Sequence, residues 1–247
     1  MVQPSHPGNV GSAARAIKTM GFRELVLVAP KFPDMTTQPE AIALASGADD
    51  VLASTQVFDT LEEALAPITL ACALTARPRD IGPPAADIRA TAGIARAHLD
   101  AHADARVAIV LGTERAGLTN EQIGLCHRIC HIPANPEYSS LNVAQALQLA
   151  AWEMRYALIA DQGAAPEAKA PGAPAARGAE PASGEAAQAF IAHWEQALVA
   201  IDFLDPAHPK KLMPRMRHLF GRSALTRDEV DMLRGVCTAM IKTATKR

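Results

Sequence analysis

Asn135-Pro136-Glu137-Tyr138-Ser139-Ser140-Leu141-Asn142 runs directly into Val143-Ala144-Gln145-Ala146-Leu147-Gln148-Leu149-Ala150-Ala151-Trp152. A polar, turn-prone segment therefore opens an apolar helix. Pro136 disfavours helix before it, and Ser139, Ser140 and Asn142 are all residue types that cap helix N-termini. The free N–H groups and partial positive charge of a helix start can hold a ligand's polar groups.

Upstream, four short runs are almost continuously apolar: residues 25–29, 69–74, 107–111 and 129–132. Strands covered on both faces read this way, whereas half-exposed strands alternate. Helical patterns fall between them, at 12–20, 39–46, 60–66, 88–101 and 120–126. Strands alternating with helices predict an α/β layer with a mostly parallel sheet. The first helix has only Met1-Val2-Gln3 before the turn Pro4-Ser5-His6-Pro7-Gly8-Asn9. The first strand is therefore expected to be truncated.

Downstream, residues 161–185 are nearly all Ala, Pro, Gly and charged. That composition has little to bury and predicts a flexible linker between a domain at 1–160 and a tail at 186–247. In the tail Phe190, Trp194, Leu198 and Ile201 recur at helical spacing, as do Leu212, Met216, Leu219 and Phe220. A last helix is expected at 226–243, with Val230, Leu233, Val236, Cys237, Met240 and Ile241 on one side. Three amphipathic helices suit a small all-helical extension. Lys210, Lys211, Arg215, Arg217 and Arg222 lie in a stretch without an acid, a candidate phosphate-contacting patch.

The 247 residues are 49% hydrophobic and 20% charged, with a formal net charge of −2. Any nucleic-acid surface must therefore be local. No apolar run approaches the roughly 20 residues that span a bilayer. The first residues lack the basic and apolar regions of a signal peptide, so a cytoplasmic location is expected. Cys72 reads as a core residue. Cys126-His127-Arg128-Ile129-Cys130-His131 has neither zinc-knuckle nor haem spacing and reads as buried thiols flanking a strand, with no metal expected.

Three further polar segments stand at strand or helix ends. The loop at 5–15 carries Gly8 and Gly11, which permit close backbone approach, with Arg15 one turn later. It matches neither the dinucleotide-binding glycine fingerprint nor a P-loop. The loop Gly112-Thr113-Glu114-Arg115-Ala116-Gly117-Leu118-Thr119 follows a strong strand. There Glu114 can accept hydrogen bonds and Arg115 can bind phosphate. Thr75-Ala76-Arg77-Pro78-Arg79 follows another strand. A Ser/His/Asp nucleophile elbow and a helical H-E-x-x-H are both missing. Arg-rich polar loops without a metal signature fit a group-transfer enzyme with an organic cofactor and a phosphate-bearing substrate.

The set Ser5-His6-Pro7-Gly8-Asn9-x-Gly11-x-x-Ala14-Arg15, Gly112-Thr113-Glu114-x-x-Gly117-Leu118 and Ile132-Pro133 with Ser139-Ser140-Leu141-Asn142-Val143-Ala144 resembles the three motifs of the SPOUT-class, TrmH-like RNA 2′-O-methyltransferases. The longer segment from Asn135 and the helical tail resemble the branch acting on nucleotide 32 of the tRNA anticodon loop. The resemblance implies an α/β fold with a C-terminal trefoil knot, and a homodimer in which Arg15 approaches the partner's cofactor. It implies S-adenosylmethionine held near Thr75, Ala76, Gly112, Glu114, Ile132, Ser140 and Leu141. Arg15, Asn9, Glu114, Ser140 and Asn142 become the implied catalytic set. Arg77, Arg115, Tyr138, Ser139, Lys210, Lys211 and Arg215 become candidates for tRNA contact.

Overall fold

In the computed structural model the described residues are 1–77, 82–159 and 180–245. The strands are β1 (Val26–Val28), β2 (Gln56–Phe58), β3 (Leu70–Leu74), β4 (Ala85–Asp87), β5 (Val107–Leu111) and β6 (Arg128–His131). The helices before the tail are α1 (Pro7–Thr19), α2 (Pro39–Ala45), α3 (Asp49–Ala53), α4 (Leu61–Leu65), α5 (Ile88–Ala101), α6 (Asn120–Gly124) and α7 (Val143–Ile159). The tail adds α8 (Gly184–Ala200), α9 (Leu212–Gly221) and α10 (Arg227–Ala244). Among the described residues no helix is long and apolar enough to cross a membrane.

Strands β4, β6, β3 and β5 form a parallel sheet in that order, and β1 and β2 form a second parallel pair. The N-terminal residues join the two. Val2 N–H donates to Leu111 O at 2.8 Å, Gln3 N–H to Val28 O at 2.7 Å, and Val28 N–H to Met1 O at 2.9 Å. The short first strand is thus present as a bridge between β1 and β5, at their C-terminal ends.

The apolar runs are explained by burial on both faces. All five residues of β3 are buried. Leu70, Cys72 and Leu74 pack with Val10, Ile17, Ala92, Leu147 and Met154 under α1, α5 and α7. Ala71 and Ala73 pack with Leu61, Leu65, Leu118 and Ile123 on the opposite face. The elements α3, β2 and β4, absent from the sequence reading, span five, three and three residues, too few to show a period.

The segment expected as a loop at 5–15 is helical from Pro7, which occupies the first helical turn where its missing N–H is harmless. Its glycines serve helix packing. A Cβ on Gly11 would lie 2.0 Å from Ala41 O, so the backbones of α1 and α2 meet where a side chain cannot fit.

In the tail, Phe190, Leu198, Met213, Val230 and Cys237 form a third core. Phe190 and Phe220 meet edge to face at 4.8 Å. Val236 was expected on the apolar side of α10 but is 44% exposed, because the buried stripe narrows to Val230 and Cys237. The linker expected through residue 185 ends earlier. Pro181 bridges Thr226, and Gly184 and Glu185 donate to Ile68 O and Ala66 O at 3.0 Å. These contacts dock the helical tail beside α4, with Gln188 reaching Glu62 O at 3.3 Å. Residues 161–179 of the expected linker lie outside the described residues.

At the opposite pole of the sheet, His127 Nδ1 accepts the Ala71 N–H at 2.9 Å. Burial, and then the neighbouring His98 and Arg128, push the imidazole down to about 4. A depressed base favours the folded state only while it is neutral. Its contribution is whole above the ordinary unfolded value of about 6.5 and declines as pH falls toward about 4. Urea denaturation across that window is expected to show falling stability, and His127→Gln to flatten the trend. Gly11→Ala is expected to destabilise by at least about 2 kcal/mol despite alanine's better helix propensity, because backbone cannot step aside as a rotamer can. Chemical denaturation measures it.

Candidate functional site

Leu74 is in register with both Leu111 and Cys130, so β3, β5 and β6 end at one edge of the sheet. The loops that follow them therefore emerge side by side, on the edge where open α/β sheets bind ligands. After β5 the chain doubles back. Thr113 and Gly117 exchange backbone hydrogen bonds at 3.2 and 2.9 Å, and Gly117 takes a φ of 68°. A Cβ on Gly112 would lie 2.1 Å from the Gly117 carbonyl carbon, so the turn requires glycine there.

This turn presents Glu114 to the start of α1. Its carboxylate accepts from Ser5 N–H at 3.1 Å, Ser5 Oγ at 2.8 Å, His6 N–H at 3.2 Å and Asn9 Nδ2 at 3.2 Å. Burial pushes the carboxyl upward, but the hydrogen bonds from backbone, Ser5 and Asn9 outweigh it and hold the pKa below the ordinary range. Asn9 Oδ1 in turn accepts from Asn142 Nδ2 at 2.9 Å. Asn142 Oδ1 accepts from Ala144 N–H at 2.8 Å and so caps α7. Because an ionised carboxylate only accepts, it fixes which end of each amide points where along the chain Asn142–Asn9–Glu114.

Beside this chain lies a cleft of about 730 Å³ between α1, α2 and the start of α7. Asn9, Arg15 and Asn142 line it, with His6, Ser12, Glu40, Gln145 and Gln148. The Arg15 side chain is exposed there. Three of the five residues expected in the catalytic set thus share the cleft, and Glu114 is bonded to one of them. His6, Ser12, Gln145 and Gln148 were absent from the sequence-based set. A signal existed for the last two, since polar residues three apart interrupt an apolar helix.

The other expected residues of the first domain lie in the segments that follow β3, β5 and β6. Thr75 is half-buried, its N–H donating to Cys130 O at 2.9 Å and its Oγ1 accepting from Arg77 N–H at 3.2 Å. Gly112 is buried, and Ile132 and Ser139 are half-buried. Ala76, Arg77, Arg115, Ser140, Leu141 and Tyr138 are exposed, Tyr138 by 79%. Pro78 and Arg79 lie outside the described residues. Lys210, Lys211 and Arg215 are not brought to the first cleft. They line a second one, of about 700 Å³, beside the loop joining α8 and α9.

Cys72, Cys126 and Cys130 are buried, and burial raises their thiols, Cys72 to about 12 and Cys130 to about 11. Thiols held protonated are poor nucleophiles and poor metal ligands.

Glu114→Gln places an amide N–H₂ against groups that are themselves donors. It is expected to destabilise by about 1–3 kcal/mol near neutral pH. The difference should shrink in acid, because a depressed carboxylate stabilises the fold above its unfolded pKa and stops doing so as pH falls through the folded value. Denaturation of both forms at several pH values tests this.

Residues 1–152 match the SpoU rRNA Methylase family, and residues 185–247 match the C-terminal domain of tRNA methyltransferase TrmJ. The tRNA (cytidine/uridine/adenosine-2′-O-)-methyltransferase TrmJ of Pseudomonas aeruginosa is 42% identical over 245 residues, 99% of this chain and 93% of that protein. The crystal structure of TrmJ from Z. mobilis ZM4 superposes with a TM-score of 0.79 at 31% identity, covering 97% of this chain and 96% of that one. A probable methyltransferase from Bordetella pertussis Tohama I is 79% identical with a TM-score of 0.62, over 64% of this chain and 94% of that one. On fold, motif order and domain pairing alike, the chain belongs to the SpoU methylase family and carries the TrmJ-type C-terminal domain.

Proposed function

We propose that this chain is an S-adenosylmethionine-dependent tRNA methyltransferase that modifies a ribose 2′-hydroxyl, at nucleotide 32 of the anticodon loop. The observation that carries the reading is the bonded chain Asn142–Asn9–Glu114, which joins three distant motifs beside the Arg15 cleft. The pairing of a SpoU domain with a TrmJ-type tail supports tRNA as the acceptor. The reading carries with it a cytoplasmic setting, the trefoil knot, and a homodimer in which Arg15 serves the partner's site.

The edge formed by the loops after β3, β5 and β6 fits the cofactor. Backbone groups at Thr75, Ala76, Gly112 and Ile132 suit the hydrogen-bonding edges of an adenine, and Ile132 and Leu141 give apolar surface to its faces. On this reading Glu114 and Ser140 join the cofactor set. When bound, the cofactor supplies a methyl group made electrophilic by a sulfonium. Asn9 and Asn142 each use one amide hydrogen in the bonded chain, and each keeps a second. Those hydrogens can orient the ribose oxygen, and a fixed orientation is worth more than a mobile one.

Arg15 is a poor general base because its guanidinium stays protonated below a pKa of about 12. Its role is to stabilise negative charge, on the 2′-oxygen as its proton leaves or on the adjoining phosphate. Arg77 and Arg115 contact phosphates, Ser139 orients the acceptor, and Tyr138 offers an exposed ring on which a base can stack.

Arg15→Ala is expected to reduce methyl transfer to tRNA by at least about a hundredfold, within the range for losing one preorganised donor. Cofactor binding by calorimetry should stay nearly unchanged. Transfer that survived the substitution would refute the assigned role. Offering tRNA and ribosomal RNA separately with labelled cofactor tests the acceptor: label in tRNA is expected, and label in ribosomal RNA alone would overturn the substrate. Mapping the methylated nucleotide tests position 32.

A further inference from the structure

The second cleft holds a feature that basic residues alone do not explain. It lies where the loop between α8 and α9 meets the start of α9, and it is lined by Phe203, His208, Lys210, Lys211 and Arg215. Phe203 is 64% exposed, although the aromatic rings of Phe190, Trp194 and Phe220 pack together in the core of the same bundle. Single exposed apolar side chains are ordinary on protein surfaces. An exposed ring inside a concave, cationic cleft is a narrower combination.

The acid in this cleft is satisfied locally. Asp205 accepts from Ala207 N–H at 2.9 Å and from His208 Nδ1 at 3.0 Å. Lys210, Lys211 and Arg215 have no acidic neighbour in sequence from residue 206 to 222. The cleft therefore offers a flat apolar face and three cations. A double-stranded backbone needs the cations and has no use for the ring. An unpaired nucleotide uses both, stacking its base and pairing its flanking phosphates.

We infer that the Phe203 cleft binds an unpaired nucleotide of the RNA substrate, with Phe203 as the stacking platform and Lys210, Lys211 and Arg215 as phosphate contacts. The inference rests on the proposed action on tRNA and deepens it: the helical tail reads a single-stranded feature rather than a duplex. Phe203 is a substrate-binding residue on this account, remote in sequence from every methyltransferase motif.

The test measures binding of the full chain to tRNA, to a short fluorescein-labelled oligouridylate and to a blunt RNA duplex of equal length, by anisotropy at several salt concentrations. The oligouridylate is expected to bind more tightly than the duplex. Phe203→Ala should weaken tRNA and oligouridylate binding about tenfold with an unchanged salt slope. Phe203→Trp should restore affinity, and its added indole emission should be quenched by oligouridylate. Replacing Lys210, Lys211 and Arg215 together by Ala should instead flatten the salt slope by about 2–3.

Wild-type affinity in Phe203→Ala would overturn the inference, as would preference for the duplex or failure of Trp to rescue. A change in sedimentation of the free protein on Phe203→Ala would assign the ring to a protein contact and overturn it too. Methyl transfer measured in parallel separates the two levels. A parent protein that binds oligouridylate through Phe203 yet methylates no tRNA refutes the enzymatic reading and leaves the cleft standing. A parent that methylates tRNA, with a Phe203→Ala variant that binds and methylates equally well, refutes the cleft alone.

Discussion

The Glu114 carboxylate is the constraint around which the site is organised. Helix α1 begins without a side-chain cap and without an acidic residue in its first turn. The positive end of its dipole favours a negative partner. Glu114 supplies it from the far side of the chain, through bonds to Ser5, His6 and Asn9. A partly buried carboxylate would be destabilising without such donors, so each side satisfies the other. Asn142 extends the arrangement to the start of α7, where the same amide also caps the helix. The residues that shape the cleft are therefore the residues that hold three elements in register.

The frame behind them serves that arrangement. The N-terminal residues form only a short bridge in the sheet, but the bridge sits at the ends of β1 and β5, next to Ser5 and the Glu114 turn. Placement of Asn9 and Arg15 then depends on the seat of α1. The backbone contact of Gly11 with Ala41 sets that seat against α2, and buried Val10, Ala14 and Ile17 anchor the other side to the core. The C-terminal bundle docks through α4, close to the sheet, and carries its own cationic cleft. Two clefts thus stand on one body, one rich in amide groups and one combining a ring with cations.

Much of this was legible in the sequence because burial leaves a plain trace. The unbroken apolar run of β3 announces a strand covered on both faces, and all five of its residues are buried; β5, at the edge of the sheet, fully buries only Val110 and Leu111. The polar opening of α7 predicts a capped helix, and Asn142 caps it. The glycines of α1 were read as permitting close backbone approach, and Gly11 makes one; that the approach is a helix crossing onto Ala41 O rather than a loop onto a ligand is visible only once α2 is in place. The bond between Glu114 and Ser5 spans 109 positions, and no local pattern encodes such a contact. Linker composition likewise says little about where packing resumes, and Pro181 to Glu185 pack because Thr226, Ile68 and Ala66 happen to present backbone partners.

The central claim is that Asn9 and Asn142 act as one unit across two motifs rather than as two separate contacts. A double-mutant cycle in kcat/KM for methyl transfer to tRNA tests it most directly. If the unit is real, Asn9→Ala and Asn142→Ala together lose little more than the more damaging single change. Losses that multiply independently would contradict the account.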